Sequence, residues 1–351
     1  MHYPFYTDNI EACRETPQAL PKAPPGNRPD TFLPDKDYLP DAGLVDAVNA
    51  ALLLRQPLLL TGEPGTGKTQ LAYHLACQLG YQVLKFETKS NSNARDLFYI
   101  YDALGRFQAA QLAKTIEGCD IITKPQEYIT YNALGLAILL SNERKAVEAF
   151  LSSDFDDNIK HLLGDDFDFN KPHRFIVLID EIDKAPRDFP NDILNEIEKS
   201  YFRVPELGKL SHQPIKASDE MQPVLILTSN AEKSLPDAFL RRCIYYNIPF
   251  PEQERLRQIV EIRLAAQIGE IASFLTDALT LFYTMRDSGL RKPPATAELL
   301  NWLLVLRQMF PNVDNPLVDS TQSKRTFSTL VKTADDQQIA ERVLENWQKK
   351  Q

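Results

Sequence analysis

The chain has 351 residues, is 43% hydrophobic and 25% charged, and carries a formal net charge of −9. These are the values of an ordinary soluble globular protein with length for one large core or two modest ones. The acidic balance argues against a nucleic-acid backbone as the main partner, since such a partner favours a basic surface. Four cysteines (Cys13, Cys77, Cys119, Cys243) form no C-x-x-C pair, and five scattered histidines lack metal-ligand spacing. Free thiols in a reducing compartment are therefore expected, and no zinc or iron site.

Met1 to about Tyr38 carries Pro17, Pro21, Pro24, Pro25, Pro29 and Pro34 without helical or strand periodicity. This segment, 1–38, reads as an arm draped over the core or over a neighbouring subunit, with full disorder as the other reading. Its first ten residues are polar, include Pro4 and lack a basic start before an apolar stretch, so no secretory signal is expected. The longest apolar run, about Ala133 to Leu140, is far shorter than the roughly 20 residues of a membrane span. A cytoplasmic location is the expectation.

Next, Asp41 to Leu54 sets Leu44, Val45, Val48, Ala51 and Leu52 on one face, predicting a helix. Pro57 to Thr61 is a short apolar run that predicts a buried strand. Gly62-Glu63-Pro64-Gly65-Thr66-Gly67-Lys68-Thr69 fits the pattern G-x-x-x-x-G-K-[ST] without a mismatch, and Gln70 follows. Leu71, Leu75 and Leu79 then recur every four residues, as on one helix face. Tyr81 to Glu87 alternates as a second strand. The stretch 91–171 is too long for a plain crossover and reads as an insert. It holds the aromatic cluster of Arg95 to Asp102, a helix-like Tyr131 to Leu140, and an acidic end (Asp154 to Asp157, Asp165 to Phe169) that reads as a solvated linker.

Phe175 to Ile179 is again continuously apolar and ends on Asp180 and Glu181. Tyr201 to Lys216, interrupted by Pro205 and Pro214, predicts a β-hairpin. Val224 to Thr228 is another buried strand, ending near Asn230, and Pro236 to Cys243 predicts a short helix ending on Arg241 and Arg242. From Pro251, which suits a first helical position, the pattern is helical. Leu256, Ile259, Val260 and Leu264 form one stripe, and further helices fall near Ile271 to Met285, Ala295 to Met309 and Ala334 to Gln348.

The glycine loop between strand and helix is where phosphate chemistry is legible. Glycines allow a backbone whose N–H groups point into one concave nest, and the helix N-terminus adds partial positive charge. Lys68 would reach the β- and γ-phosphates, and the Thr69 hydroxyl would ligate Mg²⁺. A strand buried on both faces and ending in two carboxylates is its complement, because α/β sheets bind ligands at the carboxyl ends of their strands. Asp180 is the expected anchor behind Mg²⁺, and Glu181 the group that orients and polarises water. Asn230 could hold that water, although an Asn after a strand is usually a turn former. Arginines at a helix end are ordinarily a solvated terminus.

Taken in this order and spacing, the glycine loop, the Asp-Glu strand, the strand ending on Asn and the Leu-Arg-Arg-Cys helix end resemble an AAA+ ATPase. The MoxR branch is indicated by Pro57 to Thr69, Ala94 to Tyr99 with Tyr101-Asp-Ala103, Ile179 to Pro186, and Leu235 to Cys243. The likeness extends from about Leu39 to Trp347. It implies an α/β fold, a P-loop NTPase core with a parallel sheet flanked by helices (39–250), and a small C-terminal helical lid (251–351). It also implies ATP bound with Mg²⁺ between the subunits of a homo-oligomeric, usually hexameric ring. By position, Lys68 and Thr69 are the Walker A lysine and metal ligand, Asp180 and Glu181 the Walker B pair, and Asn230 sensor 1. Arg242 matches the arginine finger, with Arg241 as co-finger candidate. The insert would line a pore or meet substrate, and 201–216 would be the pre-sensor hairpin. One departure stands out: where relatives often carry a sensor 2 arginine, this chain reads Pro293 to Glu298, leaving Arg291 and Lys292 as candidate substitutes.

The resemblance implies ATP-driven, chaperone-like remodelling of a protein client, including a von Willebrand factor A-type partner, in metal-site assembly or in a stress or phage-conflict system. The alternatives are a nucleic-acid motor or loader, which the net charge disfavours, and an ATP-dependent assembly switch in a conflict or defence system.

Overall fold

Five strands carry the site, and their residues explain why they are central. The computed structural model describes residues 38–115, 124–268 and 272–349; the proline-rich arm, Cys13 and Cys119 lie outside them. The main strands are β1 (Leu58–Thr61) and β2 (Gln82–Glu87), followed after two short strands by β5 (Phe175–Asp180), β8 (Val224–Thr228) and β9 (Ile244–Asn247). The short strands are β3 (Tyr99–Tyr101) with β4 (Ile129–Tyr131), and β6 (Tyr201–Phe202) with β7 (Ile215–Lys216), each an antiparallel pair. The main sheet is parallel throughout, in the order β2-β5-β8-β1-β9.

Both faces of this sheet are covered, which is why its strands read as unbroken apolar runs rather than alternating ones. Leu58, Leu60, Ile176, Leu178 and Ile226 pack on one face with helices α1 (Ala42–Leu54) and α2 (Lys68–Leu79). Leu59, Val177, Ile179, Leu225 and Leu227 face the other side and meet α4 (Ala133–Leu140), which follows α3 (Ala103–Thr115) in the insert. All eight residues of α4 are buried, so its uniformly apolar composition is that of a helix enclosed on every side. Gly135 is required there: a Cβ would lie 2.0 Å from the Phe98 carbonyl oxygen.

Two expected stripes are narrower than predicted. Val45 on α1 and Leu79 at the end of α2 are exposed, while Leu44, Val48 and Ala51 on α1 and Leu71, Ala72, Leu75 and Ala76 on α2 are buried against the sheet. The acidic end of the insert also departs from a solvated linker. It contains a helix, Phe155–Leu163, whose Phe155 and Ile159 are buried with Phe169 in the core beside α4. Asp156 and Asp157 lie in the first turn of this helix, where Asp156 pairs with Arg144 at 2.7 Å.

Among the described residues, 38–62 and Gly67–Ile248 form one compact unit, and Glu63–Thr66 with those from Pro249 onward form the second. The second unit is helical: Gln253–Ile268, Ala272–Arg286, Thr296–Met309 and Ala334–Gln348 enclose Trp302, Phe282, Leu299 and Leu344. Its first helix begins at Gln253 rather than at Pro251. Asp336, buried in this unit, accepts the backbone N–H groups of Arg291 and Lys292 at 2.8 and 3.2 Å. Burial alone would raise its carboxyl, but these donors outweigh it and hold the group below its ordinary value. Among the described residues no helix is long and apolar enough to cross a membrane.

Candidate functional site

The parallel register sets the site. Leu60 pairs with Thr228, Ile179 with Leu227, and Glu87 with Asp180, so β1, β8, β5 and β2 end at one edge of the sheet. The glycine loop leaves β1 at that edge. Gly62, Gly65 and Gly67 have φ of 141°, 77° and 89°, values that side-chain-bearing residues rarely adopt. At Gly67, which caps α2, a Cβ would also approach Tyr38 to 2.8 Å. Lys68 opens α2 with only 6% of its surface exposed, its Nζ donating to the Gly62 carbonyl at 2.9 Å. Glu63 and Pro64 form the turn of the loop, and the Thr66 hydroxyl donates to the Glu63 carbonyl at 2.9 Å.

One residue further on, Thr69 Oγ1 donates to Asp180 Oδ1 at 3.0 Å. This contact spans 111 positions of sequence and joins the helix after the loop to the tip of β5. The Thr228 hydroxyl donates to the same oxygen at 2.6 Å and accepts the Glu181 backbone N–H at 2.9 Å. Thr228 is thus the link between the two carboxylates, a role its sequence position alone does not reveal. Gln70 lies in the first turn of α2 beside Thr69.

Glu181 sits just past β5 with φ 56°, a left-handed conformation uncommon for a side-chain-bearing residue. Its Oε1 accepts from Asn230 Nδ2 at 3.1 Å, and its Oε2 from the Lys184 ammonium. Asn230 is held by a second tight turn. Ala231 also has positive φ, the Ser229 hydroxyl accepts the Ala231 N–H, and buried Asp183 accepts the Glu232 N–H at 2.9 Å. Lys184 is held above the ordinary lysine value by its hydrogen bond to Glu181.

A second lysine serves the other carboxylate. Lys85 on β2 lies 2.8 Å from Glu87 Oε1 and 3.2 Å from Asp180 Oδ2. Burial alone would lower its ammonium, but the bond to Glu87 and the Asp180 charge prevail and raise it. In the alternating pattern of β2, Lys85 reads only as a polar position, and nothing in the sequence marks it as a neighbour of Asp180.

The paired arginines lie elsewhere. Ile244 pairs with Leu58 at the start of β1, so Arg242 stands before the strands begin while Gly62 follows their end. At about 3.3 Å per residue, Leu58 to Gly62 spans about 13 Å along the strand direction, with Arg242 in the turn before that span. Arg242 is exposed, with Nε 3.1 Å from Glu198 Oε2 and Nη1 donating to the Ala238 carbonyl; Arg241 beside it is exposed as well. Nearby Cys243 is a half-buried free thiol that desolvation pushes up to about 12, which leaves it little thiolate character.

In the helical unit, Arg291 and Lys292 turn their backbone N–H groups to Asp336. The arginine that pairs with a glycine-loop residue of that unit is Arg286. Its Nη2 lies 2.6 Å from Glu63 Oε2, with the guanidinium 3.5 Å over the Phe250 ring.

The model of the AAA domain (dynein-related subfamily) matches residues 57–243, from the residue before β1 to the residue before β9. The chain belongs to the AAA family. The match takes in β1, the glycine loop, β5, β8 and the arginine pair, with the insert and both short hairpins. The five-stranded parallel sheet and helical C-terminal region are those of an AAA+ P-loop core followed by lid helices. No curated protein matches the chain.

Proposed function

We propose that this AAA protein is a MoxR-type, Mg²⁺-dependent ATPase that works in the cytoplasm as a homo-oligomeric, hexameric ring. The observation that carries the reading is the contact of Thr69 with Asp180 beside that of Asn230 with Glu181, at 3.0 and 3.1 Å. Four residues from three distant segments form two adjacent pairs, one suited to a metal and one to a water. The residues fit Mg²⁺-ATP: positive-φ glycines supply N–H groups for phosphate, and the nearly buried Lys68 supplies charge. A hydroxyl paired with a carboxylate offers the hard oxygen donors that Mg²⁺ prefers. When bound, Mg²⁺ would neutralise charge on the phosphates. The chain's own part is to bind and orient. With Mg²⁺-ATP bound, Lys68 would exchange the Gly62 carbonyl for phosphate oxygen, Thr69 would offer its hydroxyl to the metal with Asp180 orienting it, and Glu181 would accept a proton from a water that Asn230 positions.

The MoxR reading is supported by Pro57 to Thr69, Ile179 to Pro186 and Leu235 to Cys243, by the β3–β4 pair within the insert, and by the β6–β7 pair ahead of β8. In this reading 1–38 is an arm, 39–250 the ATP-binding core and 251–351 the lid. The net charge of −9 favours a protein client, including a von Willebrand factor A-type partner, over a nucleic acid.

Replacing Lys68 tests the reading at its base. Lys68→Ala removes the cation aimed at the phosphates, and the fold should survive because α2 is anchored in the core by Leu71, Ala72 and Leu75. Calorimetric titration should give micromolar ATP affinity for the wild type and no measurable binding for the variant. Retained micromolar affinity in Lys68→Ala would remove the reading.

A further inference from the structure

Each carboxylate of the Asp180-Glu181 pair has its own lysine, and the one on Asp180 comes from a neighbouring strand. Lys85 lies on the same face of β2 as Val83 and Glu87, with its side chain only 18% exposed. A lysine so enclosed in a sheet is rarely there without a charged partner, and this one has two. Asp180 Oδ1 already accepts two hydroxyls, from Thr69 and Thr228. Oδ2 is the oxygen facing Lys85, so any water on a metal at Thr69 that turns to Oδ2 competes with the ammonium. Glu87, with its side chain 64% exposed, already holds the same ammonium at 2.8 Å and can keep it when Asp180 lets go.

We propose that Lys85 is a positioning residue for the metal half of the site, holding Asp180 when Mg²⁺ is away and opposing Mg²⁺ until the lysine gives up Asp180 and stays on Glu87 alone. It thereby sets the Mg²⁺ concentration at which nucleotide is held. Two cationic groups on one partly buried carboxylate repel, and in such a site the repulsion is larger than in water. The inference rests on the Mg²⁺-nucleotide reading of the glycine loop.

The test is equilibrium binding of fluorescently labelled ADP while Mg²⁺ is titrated, a readout that needs no turnover. Lys85→Met should lower the half-saturating Mg²⁺ concentration about tenfold, the scale of a surface-level charge coupling. Lys85→Arg should keep the wild-type requirement. Glu87→Gln, which leaves the lysine committed to Asp180, should raise it, and should have no effect when combined with Lys85→Met. A role in packing alone would shift Lys85→Met and Glu87→Gln in the same direction. An unchanged or higher requirement in Lys85→Met overturns the inference and leaves the nucleotide reading standing. If Lys85→Met fails to fold, a Glu87→Gln requirement at or below that of the wild type overturns it equally. Failure of the wild type to bind labelled ADP at any Mg²⁺ concentration overturns the underlying reading and this one with it.

Discussion

Glu181→Gln is expected to bind ATP as the wild type does while turnover falls by about 10²–10⁴, the range of a lost general base. The amide is the same size as the carboxylate, and its oxygen can still accept from Asn230 Nδ2, now at 3.1 Å from Glu181 Oε1. The backbone N–H bond to Thr228 is untouched, so the left-handed turn at residue 181 is retained. What disappears is the proton acceptor and the partner of Lys184; that exposed ion pair contributes little to stability. Calorimetry for binding and phosphate release for turnover should therefore separate in this variant. Equal loss of both would mean that Glu181 belongs to the binding half of the site and that the assignment of the pair is wrong.

Arg242→Ala should give a comparable or larger loss by a different route. The register of β9 on β1 sets Arg242 at the opposite edge of the sheet from the glycine loop of its own chain. An arginine so placed can serve a nucleotide only if that nucleotide belongs to a neighbour. Supplied in trans to the γ-phosphate, such a cation is worth about 10³–10⁵ in rate. ATP binding to each protomer should stay near wild type, and the fold should hold, because the exposed pair with Glu198 adds about 0–1 kcal/mol. Mixing Arg242→Ala with Lys68→Ala protein should restore part of the activity: the first supplies an intact pocket and the second an intact arginine. Full activity of Arg242→Ala alone would contradict the shared site.

How much of this was legible in the sequence follows from what each residue answers to. β1, β5 and β8 announced themselves because a strand covered on both faces has no polar alternation to confuse it. The glycine loop did so because positive φ at Gly62, Gly65 and Gly67 excludes most other residues. The strand order was not legible: periodicity carries no information on which strand lies beside which, and that order alone brings Thr228 and Lys85 to Asp180. The acidic stretch from Asp154 to Phe169 misled because its aspartates outnumber its anchors, while Phe155, Ile159 and Phe169 decide its burial. Leu79 followed the helical period yet is exposed at the end of α2. Pro251 had the chemistry of a helix start, yet the helix begins two residues later.

ATP hydrolysis at a site completed by a second subunit should show in phosphate release from wild-type protein with Mg²⁺ and ATP over a wide range of protein concentration. Glu181→Gln run in parallel supplies the background. The rate per subunit should climb with concentration to a plateau as rings form, far above that background. A rate per subunit that is constant with concentration, or release no greater than that of Glu181→Gln, would contradict it.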